Sequence, residues 1–311
     1  MIGNIELRNT LKRFSLVIVF LILALGLALL SERFLTISNV INILRQSTIN
    51  GIVSVGMTMV ILTAGIDLSV GSVLGLTVVV TADLLKAGVP VGLAVGMGLG
   101  LGALLGLING LLIARIKIPP FIATLGMMSL VRGLALTFTQ GKPITGLPDA
   151  FRAIGTGTLG PIPMPIIIAG LVFLGCYLLL KRTRFGEYIY ALGNNKVAAY
   201  FSGIAVNRYV ALVYVISGML SALGGMILVA RLDSAQPVIG QGYEFDAIAA
   251  VVVGGTSFTG GEGSLGGTLL GVLIIAVINN GLNLLNVSSF YEQVVKGVVI
   301  AVALLMHRIV R

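Results

Sequence analysis

Charge is scarce in this sequence. Asp, Glu, Lys and Arg make up 10% of 311 residues, against about 25% in an ordinary soluble domain. Apolar residues account for 57% and the mean hydropathy is +1.08, which excludes a soluble fold. Cysteine is nearly absent. The single Cys176 lies in an apolar stretch, so neither an internal disulfide nor a cysteine–metal cluster can form. Histidine is equally rare, and His307 is expected at the cytoplasmic end of the last apolar segment, as an interfacial charge rather than a base. A phosphate-binding loop is missing too. Around Gly141-Lys142, Leu136 stands where the first glycine belongs and Pro143 where Ser or Thr is needed. No catalytic residue, metal site or cofactor is expected, and this chain cannot hydrolyse a nucleotide by itself.

What is present instead is length without charge. Charge-free runs cover residues 14–31, 46–66, 87–114, 153–180, 209–230 and 263–291, each near or above the roughly 18 residues of a transmembrane candidate. The first follows Arg8, Lys12 and Arg13 as a signal peptide would. It is longer than a usual signal core and has no small-residue cleavage site, so an uncleaved first span is expected. Read in order, the runs predict an all-α polytopic membrane protein of about ten transmembrane helices, some short or broken. The expected spans are 14–30, 44–63, 70–86, 90–114, 120–138, 163–180, 209–230, 244–258, 265–285 and 290–307. The chain reads as a single transmembrane domain, 1–311. The Gly- and Pro-rich segment from Lys142 to Pro163 is the longest expected external loop and a candidate for an outer mouth.

A net charge of +9 would suit a nucleic-acid partner, but its distribution excludes one. Arg8, Lys12, Arg13, Arg115, Lys117, Lys181, Arg182, Arg184, Lys196, Arg208, Arg308 and Arg311 all fall at one side of the expected spans. Only Arg33, Arg45, Lys86, Lys142, Arg152 and Arg231 fall at the other. That asymmetry is the positive-inside signature, with both termini cytoplasmic.

Residues 181–208 form the one long polar interruption. Asn194 or Asn195 can cap a short helix there and Gly203 can stop it. Such a helix places Val197, Tyr200 and Phe201 at i, i+3, i+4, an apolar stripe outside the hydrocarbon. A groove on a soluble partner would cover it; the alternative is a helix lying on the lipid surface.

Glycine, at 42 residues, is nearly twice its usual share of about 7%. Gly98, Gly102, Gly106 and Gly110 recur every fourth position, forming a ridge where a second backbone can approach closely. The cluster from Gly254 to Gly263 cannot be a continuous helix, and irregular backbone at membrane depth must be buried in protein or line a wet cavity. Ala64 to Ser72 has similar character. Asp67-Leu68-Ser69-Val70-Gly71 aligns on Glu262-Gly263-Ser264-Leu265-Gly266, through ancient duplication of a multi-helix unit or through chance.

Ionisable residues inside expected spans are functional suspects. Asp67 and Asp83 can lie at span ends, while Glu292 and Lys296 can pair at i, i+4. Arg132 stands about 18 Å into its helix, where pairing with a carboxylate or with helix-end carbonyls outweighs a substrate role. No buried acid relay of a proton- or sodium-coupled carrier stands out. Asn279, Asn280 and Asn283 interrupt an apolar span; they either bond neighbouring helices or line a wet cavity. Asp67, Ser69, Asn279 and Asn283 are the candidates for a translocation pathway.

Several segments carry a resemblance. They are Thr63-Ala64-Gly65-Ile66-Asp67-Leu68-Ser69-Val70-Gly71-Ser72, Phe121-Ile122-Ala123-Thr124-Leu125 with Arg132-Gly133, and Gly193-Asn194-Asn195-Lys196-Val197-Ala198-Ala199 with Ser202-Gly203-Ile204. In the C-terminal third they are Ser234-Ala235-Gln236-Pro237, Gly242-Tyr243-Glu244, Asp246-Ala247-Ile248-Ala249-Ala250 and Asn279-Asn280-Gly281-Leu282-Asn283-Leu284-Leu285. Over residues 10–307 the chain resembles the membrane permease subunit of bacterial carbohydrate ABC importers, the branch serving ribose and related monosaccharides.

That resemblance implies a type II-like importer permease in the cytoplasmic (inner) membrane of a bacterium. Its partners would be the lipid bilayer, a second copy of itself, a separate cytoplasmic ATP-binding subunit and an extracytoplasmic sugar-binding protein. It maps the ATPase-coupling helix onto Gly193, Asn195, Val197, Ala198, Ala199, Tyr200, Phe201 and Gly203. The family varies at the position of Glu262, which weakens a paired role with Asp67. The competing expectations are a secondary carrier or passive channel for small neutral solutes, and a structural or signalling membrane protein.

Overall fold

The computed structural model describes residues 2–288 together with 291, 294, 297 and 298, with side chains from residue 16 onward. Nine long or apolar helices coincide with the first nine expected spans. They are α1 (Ile2–Leu30), α2 (Ile37–Leu62), α3 (Val70–Lys86), α4 (Val91–Ala114), α5 (Pro120–Thr139), α7 (Met164–Arg182), α10 (Val206–Leu232), α11 (Tyr243–Val253) and α12 (Leu265–Leu284). The tenth expected span falls almost wholly outside the described residues, as do Glu292, Lys296 and His307. Among the described residues, five helices are long and apolar enough to cross a membrane: α4, α5, α7, α10 and α12.

The helix ends follow local chemistry. Pro119 and Pro120 open α5, and Gln140 closes it in the left-handed region at φ 52°. Thr36 caps α2 by accepting from the Asn39 amide, and Ser264 caps α12 by accepting from Gly267. The shortness expected of the third and eighth spans is real: α3 has 17 residues and α11 only 11. The Gly254–Gly263 segment is indeed irregular, with Gly255, Gly260, Gly261 and Gly263 all at positive φ.

The two aligned segments put Ser69 and Ser264 at the same point, one residue before α3 and α12. Their bonding differs. Ser264 caps its helix, whereas the Ser69 hydroxyl donates to Asp67.

At the centre stands α10, which touches α2, α3, α4 and α6 and buries most of its length, including Tyr214 and Ser217. Between helices in lipid the hydrophobic effect supplies little, so close approach and shared hydrogen bonds hold them. The glycine ridge of α4 supplies the first. A methyl on Gly102 would meet the Gly218 carbonyl oxygen, one on Gly106 the Tyr214 carbonyl, and one on Gly110 the Ala211 backbone. Across the molecule Thr58 and Thr268 bond at 2.8 Å, linking α2 to α12. Large apolar side chains on α1, α4, α5 and α7 stay exposed, among them Leu29, Leu104, Leu130 and Leu171. That is the surface a lipid-facing bundle presents.

Two stretches hold more structure than the sequence indicates. The expected external loop contains α6 (Asp149–Thr156) and a small hairpin of β2 (Thr158–Leu159) with β3 (Ile162–Pro163), while β1 (Ile144–Thr145) pairs with β4 (Ser234–Ala235). Its buried Phe151 plugs into the core, and the Leu147 amide donates to Asp233 at 2.8 Å. The polar interruption at 181–208 holds α8 (Arg184–Asn194) before α9 (Lys196–Phe201). The apolar face of α8 buries Ile189 and Leu192.

Candidate functional site

Two regions, one at the C-terminal end of α2 and one at its middle, carry the functional geometry. One is the short helix α9 with its supports. Asn195 accepts from the Val197 and Ala198 amides at 3.0 and 2.9 Å, as an N-cap does. Gly203, at φ 83°, ends the helix, with Ile204 N–H returning to the Ala199 carbonyl at 3.1 Å. Ala199 packs inward, while Val197, Tyr200 and Phe201 are 65%, 67% and 82% exposed. Ala198 supplies the carbonyl that the Ser202 hydroxyl and amide reach.

Directly before α9, the chain makes a glycine-on-backbone junction. Gly193 lies so close to the Leu62 carbonyl and the Gly261 amide that a methyl group would strike both. Gly261 N–H donates to the Leu62 carbonyl at 2.9 Å, and the Tyr190 hydroxyl donates to the Gly263 carbonyl at 3.0 Å. Burial raises the Tyr190 phenol pKa, so the hydroxyl stays a donor. The junction therefore ties α8 to the end of α2 and to the turn between α11 and α12.

The other region is a cavity of about 1310 Å³, comparable to or larger than most small-molecule sites. It is lined by α2 near Gln46 and Asn50, α3 at Ser72, α5 at Arg132, α11 at Glu244 and α12 at Asn279. Along α2 it lies about 20 Å from the Leu62 junction, at 1.5 Å per residue. Four buried oxygens on its lining residues have no hydrogen-bond partner among the described residues: Asn50 Oδ1, Ser72 Oγ, Glu244 Oε2 and Asn279 Oδ1. All four can accept, and an unpaired buried acceptor is costly. A ligand rich in O–H donors matches them.

Arg132 borders this cavity with its guanidinium tied down. Nη1 donates to the Pro237 and Ile239 carbonyls at 2.7 and 3.0 Å, and Glu244 lies within its electrostatic reach. The expected pairing with carbonyls holds, although they belong to the loop before α11 rather than to a helix end. Gly75 makes room for the guanidinium, since a methyl there would crowd Nη1 at 2.8 Å.

The four pathway candidates separate. Asn279 lines the cavity and Asn283 does not; the Asn283 amide donates to the Asn279 carbonyl at 3.1 Å. Asp67 and Ser69 lie away from the cavity, fully buried in a polar lock. Asp67 accepts from the Ser69 amide (3.0 Å), the Ser69 hydroxyl (2.6 Å) and the Ser217 hydroxyl (3.0 Å). Asn109 donates to the Ser69 hydroxyl at 2.8 Å, and Tyr214 donates to the Ile66 carbonyl at 3.2 Å. The physical reason is the break between α2 and α3: its free backbone groups and acid need partners, and α4 and α10 supply them. Gln46, Asn50 and Glu244 are cavity residues that sequence reading missed. The available signal was that Gln46 and Asn50 stand four apart in a charge-free run.

Residues 39–304 match the family described as "Branched-chain amino acid transport system / permease component", which is most of the chain. The chain belongs to that permease family. This permease is 52% identical over 289 residues to "Ribose import permease protein RbsC" of Bacillus subtilis (strain 168), covering 92% of this chain and 90% of the relative. It is 49% identical over 300 residues to the RbsC protein of Escherichia coli (strain K12), covering 95% and 93%. To the "D-allose transport system permease protein AlsC" of the same strain it is 40% identical over 294 residues, covering 94% and 90%. No solved structure matches this permease.

Proposed function

We propose that this chain is the pore-forming permease subunit of an ATP-driven importer that moves ribose or a similar monosaccharide inward across the cytoplasmic membrane. The observation that carries the reading is the cavity with four unpartnered acceptor oxygens, from Asn50, Ser72, Glu244 and Asn279. A pentose is neutral and presents several hydroxyl donors to such a surface. Identity of 49–52% to permeases named for ribose import supports the same substrate class. The charges on the lining balance, Arg132 and Arg231 against Glu244 and Asp246, which also suits passage of a neutral solute, because a site that holds its cargo tightly slows release.

With the cations of residues 181–208 on the cytoplasmic side, α2 runs from the outer face at Ile37 to the inner face at Leu62. The cavity then lies near the middle of the span, where it can take up sugar handed over by an extracytoplasmic binding protein. The chain acts as one domain of ten spans in a type II-like arrangement, with both termini inside and a second copy completing the pore. On the inner side a separate ATP-binding subunit covers Val197, Tyr200 and Phe201, which stay exposed among the described residues. Gly193 and Asn195 hold that helix against the bundle, and Ala198, Ala199 and Gly203 shape its ends and inner face. Movement at α9 reaches the cavity through the Gly193 junction, along α2 to Gln46 and Asn50 and through α12 to Asn279. Hydrolysis is the partner's chemistry; this chain supplies the path.

The test is uptake of labelled ribose into proteoliposomes holding this chain, its ATP-binding subunit and the sugar-binding protein. The expected result is uptake that requires ATP and all three proteins. Equal uptake by this chain alone, without ATP, would overturn the reading in favour of a carrier or channel.

A further inference from the structure

A second cavity, of about 820 Å³, lies between α4, α9 and α10. Arg115 and Lys117 follow the end of α4, Lys196 opens α9 and Arg208 stands in the first turn of α10; all four line it. No carboxylate does, and none of the four forms an ion pair among the described residues. Among the described residues Lys117 alone has a polar side-chain partner, Asn207 Oδ1 at 3.0 Å. Withdrawal from solvent, and then the charge of Lys117, hold the Lys196 pKa below the usual lysine range. Four cations thus line one groove with no carboxylate paired to them among the described residues.

Apart from Asn207 and the Tyr200 phenol, the rest of the lining is apolar and runs inward. Leu107 and Leu111 lie two turns and one turn before Arg115 on α4, and Leu212 lies one turn beyond Arg208 on α10. Leu107 to Arg115 spans about 12 Å of helix at 1.5 Å per residue. Leu107 and Leu212 remain 38% and 36% exposed. The groove therefore joins a cationic ring at the membrane surface to an apolar wall within two apolar spans. A soluble protein segment filling it would have to enter hydrocarbon; a lipid would not.

We propose that this groove binds an anionic phospholipid. The headgroup phosphate sits among Arg115, Lys117, Lys196 and Arg208, and an acyl chain lies along Leu107, Leu111 and Leu212. Basic pockets between helices on the cytoplasmic side recognise lipid headgroups in this way. The lipid would touch α9 through Lys196 and so brace the helix on its membrane side.

The experiment is native mass spectrometry of the full chain, purified from bilayers of equal phosphatidylglycerol and phosphatidylcholine. Retained phosphatidylglycerol should exceed phosphatidylcholine in the intact protein. In Arg115→Gln/Lys117→Gln that retention should fall about thirtyfold, from the contribution typical of two basic residues near a membrane surface. Lys181→Gln/Arg182→Gln, which removes equal charge outside the groove, should retain lipid as the parent does. Where the double variant is poorly folded, Arg115→Gln alone should lose about fivefold. Equal retention of both lipids, or equal loss in both double variants, would overturn the assignment. Displacement of the lipid by millimolar inorganic phosphate would reassign the ring to a free anion. Displacement by the ATP-binding subunit would give the groove to a protein.

Discussion

Asn39 at the start of α2 and Asn280 near the end of α12 exchange hydrogen bonds, each amide donating to the other's carbonyl oxygen at 2.9 and 3.0 Å. Both side chains are buried, and Asn39 Nδ2 also donates to the Phe34 carbonyl at 2.9 Å. The pair joins two helices that flank the large cavity. Asn280→Leu leaves the Asn39 amide partly unsatisfied and should cost about 1–2 kcal/mol. Thermal unfolding in detergent checks this. The Asn39→Leu/Asn280→Leu double variant should lose less than the sum of the two singles, because neither amide is then stranded.

One residue along, Asn279 faces the cavity with an unpartnered Oδ1. Asn279→Leu should slow sugar flux several-fold, as loss of about 1 kcal/mol of hydrogen bonding to a passing hydroxyl implies. Assembly with the ATP-binding subunit and stimulation of its ATPase should persist. Asn283→Leu, off the cavity, should change flux less. A reversed order between the two variants would remove Asn279 from the pathway.

The exposed Phe201 is the centre of the proposed docking stripe. Phe201→Asp should abolish co-purification with the ATP-binding subunit while membrane insertion stays normal, since burying an unpaired carboxylate costs several kcal/mol. Gly193→Ala acts one step further in. Its methyl would strike the Leu62 carbonyl, so the partner should still bind while sugar-binding-protein-stimulated ATPase falls. Normal stimulation in both variants would show that force does not pass through this junction.

Helix α4 contains its own control. Gly102→Leu must displace the Gly218 carbonyl and should sharply reduce folded yield, whereas Gly100 has nothing within 4 Å of an added Cβ. Gly100→Leu should therefore express and transport as the parent does. Monodisperse yield after solubilisation distinguishes the two.

The sequence by itself determined what depends on near neighbours along the chain. Five helices, α4, α5, α7, α10 and α12, match long apolar runs because a bilayer demands length and apolarity, and both are one-dimensional properties. Asn195 and Gly203 bound α9 as expected because capping involves residues within one turn. The α4 ridge was legible because four glycines at spacing four must share a face. Tertiary structure alone decided which polar residues meet. Asn279, Asn280 and Asn283 are alike in sequence, yet a rotation of about 100° per residue sends one to the cavity, one to Asn39 and one to its own helix's backbone. Asp67 and Ser69 looked like pathway groups until Asn109 and Ser217, from distant helices, closed around them. The cavity itself joins Asn50, Arg132, Glu244 and Asn279, and such convergence has no periodicity for a sequence to display. The packing of α10 against α2, α3 and α4 brings those distant segments together.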